Sequence, residues 1–142
     1  MKQTAVTKTL ALLIALTVAP FGQSEDVLGF FAGTWRGICQ DGHPFVILTL
    51  KVNGKDLVGD ISIANMTGDN GQCVAVTDLP SPEHAMKISG AKVTDAILSF
   101  HASSHAQFRM ALDDAKTAKL KFLGTPVENS PWRLTRIANE SR

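Results

Sequence analysis

Tyrosine is absent from this chain of 142 residues, tryptophan occurs twice, and aromatics make up 6% of it. A binding box built from several Trp and Tyr rings therefore has no material. Charge is nearly balanced, at a formal +1, and no basic patch gathers along the chain. That excludes the electrostatic footprint of a nucleic-acid binder and attraction to an anionic membrane surface. Beyond the N-terminal region there is no second hydrophobic span, no low-complexity tract and no internal repeat. There is no Cys-x-x-Cys, no Gly-rich phosphate loop, and no Ser-His-Asp order with a nucleophile elbow. Asp41-Gly42 and Asp113-Asp114 sit where turns favour Asp, so they read as turns rather than as paired carboxylates. No catalytic residue, metal site or cofactor is assigned, and the chain reads as a non-enzyme.

What is present begins with a processing segment. Lys2 and Lys8 precede an apolar core from Leu10 to Ala19, too short to span a bilayer and suited to a secretory signal. Gly22 and Ser24 supply small residues at the offset of a cleavage site, so residues 1–24 are expected to leave. Neither cysteine lies just behind the apolar core, which argues against a lipoprotein anchor. The remainder, 25–142, is 118 residues (142 less 24), with 12 basic residues against 13 acidic. It is long enough for one domain with its own core, in a secreted or periplasmic protein.

Two cysteines, Cys39 and Cys73, remain in that exported portion. An oxidising compartment favours joining them; two buried free thiols are the alternative.

Strand candidates follow at short, regular spacing: 34–39, 44–52, 57–64, 72–78, 85–89, 95–103, 106–112, 118–123 and 132–137. Asn53-Gly54 between two apolar runs predicts a tight hairpin. An antiparallel meander closes only with an even strand count. The stretch 65–84 carries Gly68, Asp69, Asn70, Gly71, Pro80 and Pro82, so 72–78 is assigned to a long loop with at most a short edge strand. The fold class is then all-β, an eight-stranded antiparallel up-and-down barrel, whose interior holds side chains or one small ligand. Period-2 alternation points Ile61, Leu98, Phe100, Phe108 and Met110 inward. Strand 44–52 is apolar on both faces, which leaves Phe45 and Ile47 pointing outward.

Letting the first strand rise places Trp35 low and Cys39 high, and the descending last strand returns Arg136 to the level of Trp35. A guanidinium stacked on an indole would seal that lower end. The same count gathers His43, His84, His101 and His105 near the upper rim, with His101 and His105 flanking one turn. Their spacing matches no standard metal motif.

Gly33-Thr34-Trp35 opening the first strand, with Leu134-Thr135-Arg136 closing the last, resembles the calycin group of small β-barrels, which includes lipocalins, fatty-acid-binding proteins and avidins. The resemblance implies a lipocalin-like barrel over about 30–138, with Trp35 and Arg136 as closure residues. Biotin binding does not carry over from the avidins, because only Trp35 and Trp132 are available for the aromatic box. Gly33-Thr34-Trp35-Arg36-Gly37 also resembles the haem-binding nitrobindins, but their next glycine falls where this chain has Cys39. In overall pattern the chain is similar to small barrel domains of exported bacterial proteins of unsettled role. The expected function is non-catalytic binding of a small apolar or amphipathic ligand, with Ile61, Leu98, Phe100, Phe108 and Met110 lining the site. The alternative is a protein-interaction or inhibitor module with a solid core, acting on a protein partner through Phe45 and Ile47.

Overall fold

The computed structural model describes residues 25–69, 72–103 and 105–137; the signal segment expected over 1–24 lies outside the described residues. Among these residues ten strands follow a five-residue helix, α1 (Glu25–Gly29): β1 (Gly33–Ile38), β2 (Pro44–Asn53), β3 (Asp56–Ile63), β4 (Asn65–Asp69), β5 (Gln72–Asp78), β6 (Met86–Thr94), β7 (Ile97–Ala102), β8 (Ala106–Leu112), β9 (Thr117–Phe122) and β10 (Trp132–Ile137). Eight of them close a barrel in the order β1-β10-β9-β8-β7-β6-β3-β2, and β4 pairs with β5 in a separate two-stranded sheet. Every neighbouring pair is antiparallel. The chain is thus an eight-stranded up-and-down barrel, interrupted once by a hairpin that stays outside the wall.

The alternation of apolar and polar residues dictates which face of each strand turns inward. Leu98, Phe100 and Ala102 of β7, Phe108 and Met110 of β8, Ala118 and Leu120 of β9, and Leu134 of β10 are all buried. Cross-strand register stacks them in layers, with Phe100 opposite Phe108, Phe108 opposite Phe122, and Leu98 and Leu120 opposite Met110.

Three elements depart from the expectation. The stretch read as a loop forms a real hairpin, β4–β5: Gly68 and Asp69 lie within β4 opposite Cys73 and Gln72, and the ladder accommodates them through a register shift between Thr67 and Gly68. The strand expected at 85–89 runs on to Thr94, and β7 starts only at Ile97. Between them Asp95 and Ala96 both take positive φ, 53° and 64°, the pattern of a two-residue hairpin turn made without glycine.

The third departure is Phe45, which points into the barrel and is buried. The ladder slips between Gly37 and Ile38, where Gly37 faces Val46 but Ile38 faces Pro44. Phe45 is the extra residue of this bulge, and a bulge re-aims a side chain that simple alternation would send outward. Gly37 makes the room: a Cβ there would lie 2.8 Å from Val46 and 2.9 Å from Phe45. Ile47 remains on the outer face and is half-buried.

Candidate functional site

The interior carries the five side chains assigned to ligand binding. Ile61, Leu98 and Met110 have no surface open to water, and Phe100 and Phe108 have 1%. Phe100 stacks on Phe108 with centroids 5.3 Å apart, and Phe108 lies 4.5 Å from Phe122. The column continues through Trp132, 6.2 Å from Phe122, to Phe45, 5.0 Å away edge-on. These distances are those of aromatic pairs in a packed core.

The lower end is shut by the chain before β1. Leu28 and Phe31 are buried against the barrel, and the Trp35 indole N–H donates to the Phe31 carbonyl at 2.9 Å. The Arg136 guanidinium lies over the Trp35 ring, 4.4 Å from its centroid. It donates to the carbonyls of Ala32 and Phe30. Burial lowers its pKa, though an arginine stays charged throughout the physiological range. Gly33 takes φ +130°, and a Cβ there would sit 3.1 Å from the guanidinium; the glycine gives the arginine its place. Beside this seal lies a cleft of about 500 Å³ lined by Phe30, Leu112, Asp113, Asp114 and Arg136.

The upper end is held differently. Cys39, just past β1, is bonded to Cys73 in β5, with a Cα separation of 5.0 Å. The Asp41 carboxylate accepts from the backbone N–H groups of Val76, at 2.9 Å, and His43, at 3.0 Å. Those two N–H donors, Val76 first, hold its pKa below the ordinary aspartate value. Gln72 donates to the Ser130 hydroxyl in the loop before β10. The β4–β5 hairpin is thus tied to two loops of the rim.

The four histidines lie at this end but do not converge. His43 faces Asp41. His101 pairs across the ladder with Gln107, ring nitrogen to amide at 2.9 Å, because Ala102 opposite Ala106 closes the turn and leaves His105 in the loop. His84 ends a short 3-10 turn, Pro82–His84, on another side of the rim. Among the described residues no three His, Cys, Asp or Glu side chains come together.

Two features escaped the sequence reading. Trp132 joins the aromatic column, a role legible only from its period-2 relation to Leu134. A groove of about 480 Å³ lies between the base of the β4–β5 hairpin and the turn before β6, lined by Ile63, Asn65, Asp78, Leu79, Ser81 and His84. Its residues come from two short stretches, 63–65 and 78–84, and share no motif.

No protein-family model matches this chain, and no match to it is found among the curated proteins or the solved structures.

Proposed function

We propose that this chain is an exported, non-catalytic barrel that acts on a protein partner through its outer surface, as an interaction or inhibitor module with a solid core. The observation that carries this reading is the packed interior. A small-molecule guest usually needs several hundred Å³, and admitting one here means parting Phe rings that touch at 4.5 Å and 5.3 Å. Export is supported by the apolar N-terminal segment and by the Cys39–Cys73 bond, which persists in oxidising compartments. No helix among the described residues is long and apolar enough to cross a membrane. The Trp35–Arg136 stack within a closed eight-stranded barrel supports kinship with the calycins.

The contact surface we assign is the upper rim. Phe45 is inside, so the outer apolar patch expected on β2 loses its larger member. Ile38 and Val74 adjoin the two bonded cysteines and are 47% and 38% exposed, and Leu79 at the same end is 58% exposed. Exposed apolar side chains at a covalently braced rim suit a partner site.

A small apolar ligand inside the barrel is the second reading, favoured by the architecture, since eight strands suit one small guest. Native mass spectrometry of the exported protein separates the two. The bare chain mass is expected; a co-purified molecule that is lost in Phe108→Trp moves the assignment to the interior. Photo-crosslinking residues at positions 38 and 74 are expected to capture one polypeptide species, and one at Val58, exposed on the barrel wall, none. Equal capture from all three positions refutes the rim.

A further inference from the structure

We propose that the groove beside the β4–β5 hairpin is a binding site for a primary alkylammonium group. This goes beyond the partner reading and stands independently of it. The groove collects one carboxylate, one imidazole and two apolar side chains, and no lysine or arginine lines it. Asp78 is held in place by the Asn65 amide, which donates to its Oδ2 at 3.1 Å. Asn65 is in turn fixed by the Thr77 hydroxyl, which donates to its carbonyl at 2.9 Å. The other carboxylate oxygen has no partner among the described residues, and neither has the His84 ring.

The opposite wall is rigid for its own reasons. Ser81 caps the 3-10 turn by accepting from the Glu83 N–H at 3.2 Å, while its carbonyl accepts from the buried Ser62 hydroxyl at 2.9 Å. Pro80 and Pro82 fix φ on either side of it. His84 is therefore presented from a pinned turn, and its own N–H donates to the Ser81 carbonyl at 3.0 Å. Pre-positioned polar groups bind without first having to be ordered. Leu79, 58% exposed, and half-buried Ile63 offer contact to a short alkyl stem. A carboxylate flanked by no lysine or arginine selects an ammonium head, whose donors meet the free Asp78 oxygen. A carboxylate-bearing ligand of the same length would meet Asp78 as a like charge.

The test is a titration of the uniformly ¹⁵N-labelled protein with n-butylammonium chloride, with sodium butyrate as the control. Saturable amide shifts are expected at Asn65, Asp78, Leu79 and His84 with the amine and not with butyrate. Asp78→Asn should weaken the response about 5-fold, the size of a good exposed charge contact. Asp56→Asn, an exposed carboxylate away from the groove, should leave it unchanged. Preserved peak dispersion in each variant controls for folding, and His84→Ala gives a second reading of the same groove. The proposal is overturned if no saturable shift appears, if butyrate produces the same shifts, or if Asp78→Asn binds like the parent.

Discussion

The two ends of the barrel are closed by opposite means. At the lower end the chain's own lead-in is packed under the strands, and the seal is burial: Leu28, Phe31 and Trp35 are removed from water, with Arg136 laid across them. At the upper end an inserted hairpin is held at the rim by one covalent bond and a few single hydrogen bonds. A seal made of packing is sensitive to volume and nearly indifferent to redox state and pH. A seal made of discrete ties is sensitive to both. The ends can therefore be broken independently, and each can be set against the other.

The largest effect is expected at the lower end. Trp35 is fully buried, packs under the Arg136 guanidinium and donates to the Phe31 carbonyl. Trp35→Ala leaves a cavity that the lead-in cannot refill, at a cost of about 3–5 kcal/mol. Urea unfolding measures it. A loss below about 1 kcal/mol would mean that the lead-in, not the indole, makes the seal.

Next comes the covalent tie. The bonded cysteines are 34 residues apart, and a loop of that size corresponds to about 3–4 kcal/mol in the chain-entropy account. Replacing both by Ser should lower stability by no more than that. It should also speed amide exchange in β4 and β5 well ahead of β7–β9, whose pairing does not involve the bond. Uniform acceleration across the barrel would show that the hairpin is part of one cooperative unit and would dissolve the contrast between the ends.

The lower end was legible in the sequence because its parts are large and chemically singular. One Gly-x-Trp and one Arg near the end of the last strand, placed by counting strands, are enough to predict their meeting. The hairpin after β2 was equally plain, since Gly54 takes the positive φ, 67°, that its turn requires. The upper end was legible in its disulfide and in the gathering of its four histidines, but not in its hairpin. Its hairpin looked like loop because Gly68 and Asp69 read as breakers, although both pair in the ladder with Cys73 and Gln72. Phe45 was missed for a related reason: a bulge adds one residue to a strand, and alternation cannot see it. The groove is built from positions spread from 63 to 84, with no periodicity to reveal them.

The Asp95-Ala96 turn, at the lower end, was hidden because alanine stands where such a turn ordinarily carries glycine. For an L-residue this region costs about 1–2 kcal/mol, which glycine avoids while losing part of the gain to its more flexible unfolded chain. Ala96→Gly is therefore expected to stabilise the protein by about 0.5–1 kcal/mol in urea unfolding, without moving the rim. A destabilised variant would show that the Ala96 methyl makes a contact worth more than the strain.

The smallest effect distinguishes two aspartates of the same chemistry. Asp41 and Asp114 both have pKa values held down by backbone N–H donors, Val76 then His43 for the first, Lys116 then Thr117 for the second. A depressed folded-state pKa contributes stability above the unfolded value of about 3.9, and that contribution is lost as pH falls through the folded pKa. Both groups are exposed, so the change in global stability is slight. The local consequence differs, because Asp114 ties only its own turn while Asp41 reaches 35 residues along the chain to β5. Acidification below about pH 4 should therefore release the Val76 amide and loosen the upper hairpin, whereas release at Thr117 stays within one turn. The measurement is amide exchange and chemical shift at both sites from pH 6 to pH 2. Asp41→Asn should remove the acid transition at Val76 and leave that at Thr117 intact; a Val76 transition that survives the substitution would mean that another group ties the hairpin to the rim.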